Sequence, residues 1–189
     1  MIKRDSKQNQ QRGSDRNPAM ENEGSNMHND LHELFLDELA DVFNAEQQLT
    51  KALPKLAQSA QSDELREAFE SHLEETRQHV TRLEDVARSL DETLKRKTCA
   101  AMKGLVEEAN EIIQEQADSA ALDAALIAAA QKAEHYEIAS YGTLVAWAEQ
   151  MGHDDAVELL SATLDEEKTA DEKLTSIAET TANQKAEAS

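Results

Sequence analysis

From residue 29 onward the chain offers only three glycines (Gly104, Gly142, Gly152) and one proline (Pro54). Sheets need frequent turns and β-branched runs, and this stretch instead abounds in Ala, Leu, Glu and Gln, which favour helix. The chain is therefore expected to be all-α, and its apolar residues recur in five stripes at helical spacing. The first stripe holds Phe35, Leu39, Val42, Leu49, Leu53 and Leu56, with Pro54 expected to kink the helix or end it early. Ser62 and Asp63 are suited to cap a second helix striped by Leu65, Phe69, Leu83, Val86 and Leu90. A shorter helix near 98–117 shows Met102, Leu105, Ala109 and Ile112. The next is expected to start at Asp118 or Ser119 and to stop at Gly152, and the last to run from about Asp154 to Glu179.

The short element decides the expected topology. A few residues would join the second long helix to an antiparallel third, yet about 19 helical residues intervene, roughly 28 Å at the usual rise. That length returns the chain to the end where the second long helix began. The spacing thus predicts a ferritin-like four-helix bundle with an additional short crossover helix between the second and third long helices.

Each long stripe is interrupted by acids. The first reads Val42, Glu46, Leu49, Leu53; the second Leu65, Phe69, His72, Glu75, His79, Leu83. The third long helix reads Ile127, Ala130, Glu134, Glu137, Tyr141, Leu144, and the last Leu160, Leu164, Glu167, Asp171, Leu174. A buried carboxylate must be paired, protonated or metal-bound, and these seams contain no Lys or Arg. Two divalent cations would neutralise them, and carboxylates with one or two imidazoles suit iron or manganese better than zinc. The pattern is also two-fold: single acids (Glu46, Glu134) alternate with pairs one turn apart (Glu75 and His79, Glu167 and Asp171). On spacing alone Glu137, His72 and His135 fit equally a rim position or a hydrogen-bonded core. Tyr141, Trp147 and the methionines read as packing residues, and Cys99 as a small buried one.

The chain carries 39 acidic and 19 basic residues, a net charge of −20. Such a surface repels nucleic-acid phosphates and anionic lipid and attracts divalent metal ions, so neither nucleic acid nor membrane is an expected partner. One cysteine allows no internal disulfide and no thiolate zinc cluster. Residues 1–28 are polar and nearly neutral, with five Lys/Arg and four Asp/Glu, and are expected to form a disordered tail without a signal-peptide core. Residues 29–180 are the expected bundle domain, 181–189 a frayed C-terminus, and the cytoplasm the expected compartment.

The segments LFLDELADVFNAEQQLTKALPKL (34–56), SHLEETRQHVTRLE (71–84), AEHYEIASYGTL (133–144) and LDEEKTADEKL (164–174), with C-x-x-M-x-G-L at 99–105, closely resemble the YciF/YciE-like family. This is a stress-associated group of the ferritin-like superfamily. The resemblance implies a homodimeric bundle with a di-iron-type site, holding two iron or manganese ions. Carried over, the family's seam acids fall on Glu46, Glu75, Glu134, Glu167 and Asp171, with Glu137 adjacent; His79, a position where the family often has Gln, is the nitrogen ligand expected from this chain's own spacing. The superfamily's Glu-x-x-His appears here as Glu75-x-x-x-His79 and Glu167-x-x-x-Asp171, which keeps each pair on one face but alters its geometry. Two functions compete: a dinuclear carboxylate protein handling iron and peroxide under stress, and a metal-free structural or protein-interaction bundle. A cage-forming iron store ranks below both.

Overall fold

The computed structural model describes residues 30–189, so the expected 1–28 tail lies outside the described residues. Among the described residues every regular element is helical: α1 (Asp30–Ser59), α2 (Asp63–Ser89), α3 (Ala100–Glu115), α4 (Leu122–Met151) and α5 (Asp154–Ile177). A π-helical turn, Ala178–Ala182, leads on to α6 (Asn183–Glu187). Of residues 181–189, expected as a frayed C-terminus, 181–187 continue the helical run, and Ala182 is buried.

Local chemistry sets most of these ends. Ser62 caps α2 by accepting from the Leu65 amide at 3.3 Å. Gly152, at φ 72°, closes α4 in the left-handed conformation that glycine adopts without strain. Asp91 takes φ 56° just beyond α2, which lets the Glu92 amide return to the Ala87 carbonyl.

Two boundaries differ from expectation. Helix α1 runs through Pro54 to Ser59, because Leu53, Leu56 and Ala57 are buried around it. Burying a leucine contributes about 1.5–3 kcal/mol, which offsets the roughly 3 kcal/mol that a helical proline costs. Helix α4 begins at Leu122 rather than at Asp118 or Ser119; the Ser119 hydroxyl instead closes a turn onto the Ala121 amide at 3.1 Å. Asp123, buried in the first turn of α4, accepts from the Gln61 and Ser62 amides at 2.7 and 3.0 Å. It so ties the α1–α2 turn to the start of α4.

Helix α1 packs along α2, and α4 along α5; α2 also meets α5, α1 meets α4, and α3 lies against α1 and α4. Asn44 and Gln48 of α1 bind the backbone of Cys99 and fix the entry of α3. The buried apolar residues form two separate clusters. One gathers Phe35, Leu39 and Val42 with Leu83, Val86, Tyr141, Leu144 and Leu160. The other gathers Leu49, Leu53, Phe69, Met102, Leu126, Ile127 and Leu174. Each long helix therefore contributes to both, and between them it carries polar residues through the interior.

A candidate metal centre between two apolar clusters

That polar layer consists of Glu46 from α1, His72, Thr76 and His79 from α2, Glu134 and Glu137 from α4, and Thr163 and Glu167 from α5, all buried. The helices are held in place by the clusters on either side, so these groups face one another whatever their mutual repulsion costs.

Two sets of side chains each bring their ligand atoms within 4.8 Å of one another: His72, Glu134, Glu137 and Glu167; and Glu46, His79 and Glu167. Donors on opposite sides of a divalent ion stand about 4–5 Å apart, so these spacings fit one cation per set. Glu167 belongs to both. In the first set His72 Nε2 lies 3.4 Å from Glu134 and 3.7 Å from Glu167. In the second, His79 Nδ1 lies 2.9 Å from Glu167 and 3.5 Å from Glu46. Neither contact of Nδ1 is aligned as a hydrogen bond, and Nδ1 and both Glu167 oxygens remain without one. The Tyr141 hydroxyl donates to Glu46 at 2.5 Å, leaving the other Glu46 oxygen free.

Glu137 is the extreme case. It is fully buried, and neither carboxylate oxygen has a hydrogen-bond partner. Burial, and then Glu167, Glu46 and Glu134, raise its pKa well above the carboxylate range. Burial likewise raises Glu134 and Glu167, although His72 and His79 respectively pull against it. Burial alone would lower the imidazoles, but Glu167 and Glu46 push His79 up to about 11, and Glu134 and Glu75 raise His72. The two imidazoles so neutralise part of the layer and leave Glu137 with nothing. An unpaired buried carboxylate costs several kcal/mol, and oxygen-rich sets with one imidazole each suit hard to borderline divalent ions such as manganese or iron.

A cleft of about 140 Å³ reaches the first set from the surface, lined by Ser71, His72, Glu75, Glu134, Thr169 and Lys173 among others.

Of the residues expected from sequence, Glu46, His79, Glu134, Glu137 and Glu167 come together. Glu75 does not enter either set: its side chain is 42% exposed at the cleft and meets His72 Nδ1 at 3.4 Å. The buried line of α2 runs His72, Thr76, His79, Leu83, and at about 100° per residue Glu75 falls about 60° from that line. Asp171 also stays outside. It accepts from Gln131 at 3.0 Å, beside His135 at 3.5 Å on the flank of the α4–α5 pair.

Three further side chains take part for which the sequence pattern gives no clear signal. His72, left open between rim and core, is a central member of the first set. Tyr141 combines packing with a hydrogen bond to Glu46. Glu166 binds His79 Nε2 at 2.9 Å and carried no signal, since it reads as one more acid on a solvated face. Cys99 is buried as expected, its thiol pushed up by burial and by Asp41, with Tyr136 3.1 Å away.

Residues 30–187 match a family described as Domain of unknown function (DUF892). The chain is 50% identical over 158 residues to protein YciF of Escherichia coli (strain K12), covering 83% of this chain and 95% of that protein. The crystal structure of YciF, described as a stress protein of E. coli, superposes with a TM-score of 0.78 over 81% of this chain and 97% of its own, at 49% identity. YcfI from Rhodopseudomonas palustris, described provisionally as a structural protein, gives 0.74 at 48% identity, covering 77% of this chain and 92% of that one. A protein from Xanthomonas campestris pv. campestris, 20% identical, shares the fold with a TM-score of 0.65 over 84% of this chain and 97% of its own.

Proposed function

The chain belongs to the family described as Domain of unknown function (DUF892), and from its buried carboxylate layer we propose that it is a dinuclear metal protein with a stress-related role in handling iron or peroxide. The fold reading is a ferritin-like four-helix bundle of α1, α2, α4 and α5, with α3 in the crossover between the second and third long helices. The pairing of α1 with α2 and of α4 with α5, and the sharing of both apolar clusters by all four, support it. The observation that carries the site is Glu137, a fully buried carboxylate with two free oxygens beside three more acids.

Glu46, His79 and Glu167 would hold one ion, and His72, Glu134, Glu137 and Glu167 the other. Bound there, iron or manganese supplies Lewis acidity and one-electron chemistry toward a small oxidant. The protein's own residues do the rest. Tyr141 fixes one oxygen of Glu46 and leaves the second for the ion. The two apolar clusters exclude water above and below the layer. The cleft beside His72 and Glu75 is the approach for ions and small polar molecules. A stress-related role follows the likeness to YciF, and a cytoplasmic homodimer belongs to the same reading.

Metal analysis of protein purified without chelator tests it. About two iron or manganese ions per chain is the expected result; near zero after loading with either ion sinks the proposal. The second reading, a metal-free structural or interaction bundle, is favoured by the partial neutralisation of the layer by His72 and His79 and by the description of YcfI.

A further inference from the structure

His79 is gripped from both sides. Its ring is fully buried, with Nδ1 turned to Glu46 and Glu167 and Nε2 held by Glu166 at 2.9 Å. Glu166 is itself immobilised. Arg82, one turn beyond His79 on α2, donates through both terminal nitrogens to the Glu166 carboxylate, at 2.9 Å for Nη2, and Arg82 Nη1 also reaches the buried Thr163 hydroxyl at 3.2 Å. A carboxylate clamped by a guanidinium accepts hydrogen bonds and has no proton to give, so the ring nitrogen facing it must carry the hydrogen. The other nitrogen, Nδ1, is thereby turned to Glu46 and Glu167, where it offers a lone pair once an entering cation displaces its proton. Without the clamp the ring could flip and turn Nδ1 away.

We infer that Glu166, fixed by Arg82, which Thr163 in turn holds, is the positioning residue that orients His79 with Nδ1 toward Glu46 and Glu167, and so sets the affinity of that set for a divalent cation. The inference rests on the metal reading above. It places a ligand and the residue that aims another ligand side by side in the chain, at Glu167 and Glu166. Their side chains leave α5 about 100° apart, one into the layer and one along its edge toward α2. Metal-binding histidines whose second nitrogen loses its partner typically lose 10–100-fold in affinity.

The experiment is a Mn2+ titration of the full chain, stripped of metal, followed by calorimetry, together with 15N NMR of the histidine rings before metal is added. Glu166→Ala is expected to weaken one of the two Mn2+ equivalents about 10–100-fold and to shift the His79 ring signals. Glu166→Gln keeps an acceptor oxygen in place and is expected to recover most of the affinity; it also serves if the alanine variant fails to fold. Asp165→Ala removes the same charge one residue earlier, from a side chain paired with Lys168 at the surface, and is expected to leave both equivalents and the ring signals alone. If Asp165→Ala weakens binding as much as Glu166→Ala, the effect is bulk charge and the positioning role is overturned. If Glu166→Ala changes neither affinity nor the His79 signals, the role is overturned while the site stands. If the unaltered chain takes up no Mn2+, the site reading fails, and the ring signals still decide whether Glu166 orients His79.

Discussion

The two ligand sets share Glu167 but differ in surroundings. The Glu46–His79 set is sealed: both residues are fully buried, Tyr141 donates to Glu46, and Glu166 with Arg82 braces His79. The His72–Glu134–Glu137 set stands at the end of the cleft, and its imidazole is braced only by the half-exposed Glu75. A braced, dry set loses little side-chain freedom when it takes an ion, and its electrostatics are strong. An open set, where it takes an ion, would exchange it faster and would admit small molecules. The difference teaches that one continuous acidic layer can offer two unlike surroundings, one sealed and one open to a cleft.

Removing the shared member has the largest expected effect. Glu167→Leu should abolish uptake at both positions, from about two ions per chain to well below one by elemental analysis. Metal-free stability should stay level or rise by about 1–4 kcal/mol in thermal melts, since an apolar side chain replaces a buried charge. Retention of two ions would break the assignment of Glu167 to both sets.

Single-set variants sharpen the contrast. His72→Ala should leave about one tightly held ion, whereas His79→Ala should leave one that dialysis removes. Equal loss in both variants would erase the distinction between the sets. Chelation comes next in size. An ion present at 100 times its Kd stabilises by about 2.7 kcal/mol, so metal-free protein should melt roughly 5–10 °C lower at neutral pH by scanning calorimetry.

The metal-free protein should also have an inverted pH profile. Glu134, Glu137 and Glu167 have pKa values raised by folding, and His79 is raised to about 11. A raised group stabilises fully below its unfolded value and loses that contribution as pH climbs through its folded value. Metal-free stability should therefore fall as pH rises from about 5 to 8, where most proteins are flat. A flat metal-free curve would show that these acids are not desolvated.

The smallest effect belongs to Glu75. Glu75→Gln should alter metal-free stability by under about 0.5 kcal/mol, as for most partly exposed positions, and weaken only the cleft-side ion by a few-fold. Loss of both ions would return Glu75 to the ligand set from which its exposure removes it.

Helix content and the identity of the polar layer were legible because both depend on periodicity along one chain. Leu39, Val42, Glu46, Leu49 and Leu53 read as one seam in sequence and are all buried in the structure. The facing of acids at the edge of a stripe was not legible. Glu75 on α2 and Asp171 on α5 each lie within about 60° of an apolar stripe, so either can be turned in or out by a small rotation of its helix. The rotation is set by what packs opposite.

What the sequence by itself determined is that four long helices carry carboxylates and imidazoles at or beside their apolar stripes, since helical period and composition place them there. Only the tertiary structure decided that Glu137 faces three other acids with no donor, that Glu75 and Asp171 stay at the flanks, and that Glu166 reaches across to His79. Those outcomes depend on contacts between helices remote in the chain; His79 and Glu166, for one, stand 87 residues apart. A hydrogen bond that selects one face of an imidazole is a property of two helices brought together, and neither helix carries it alone.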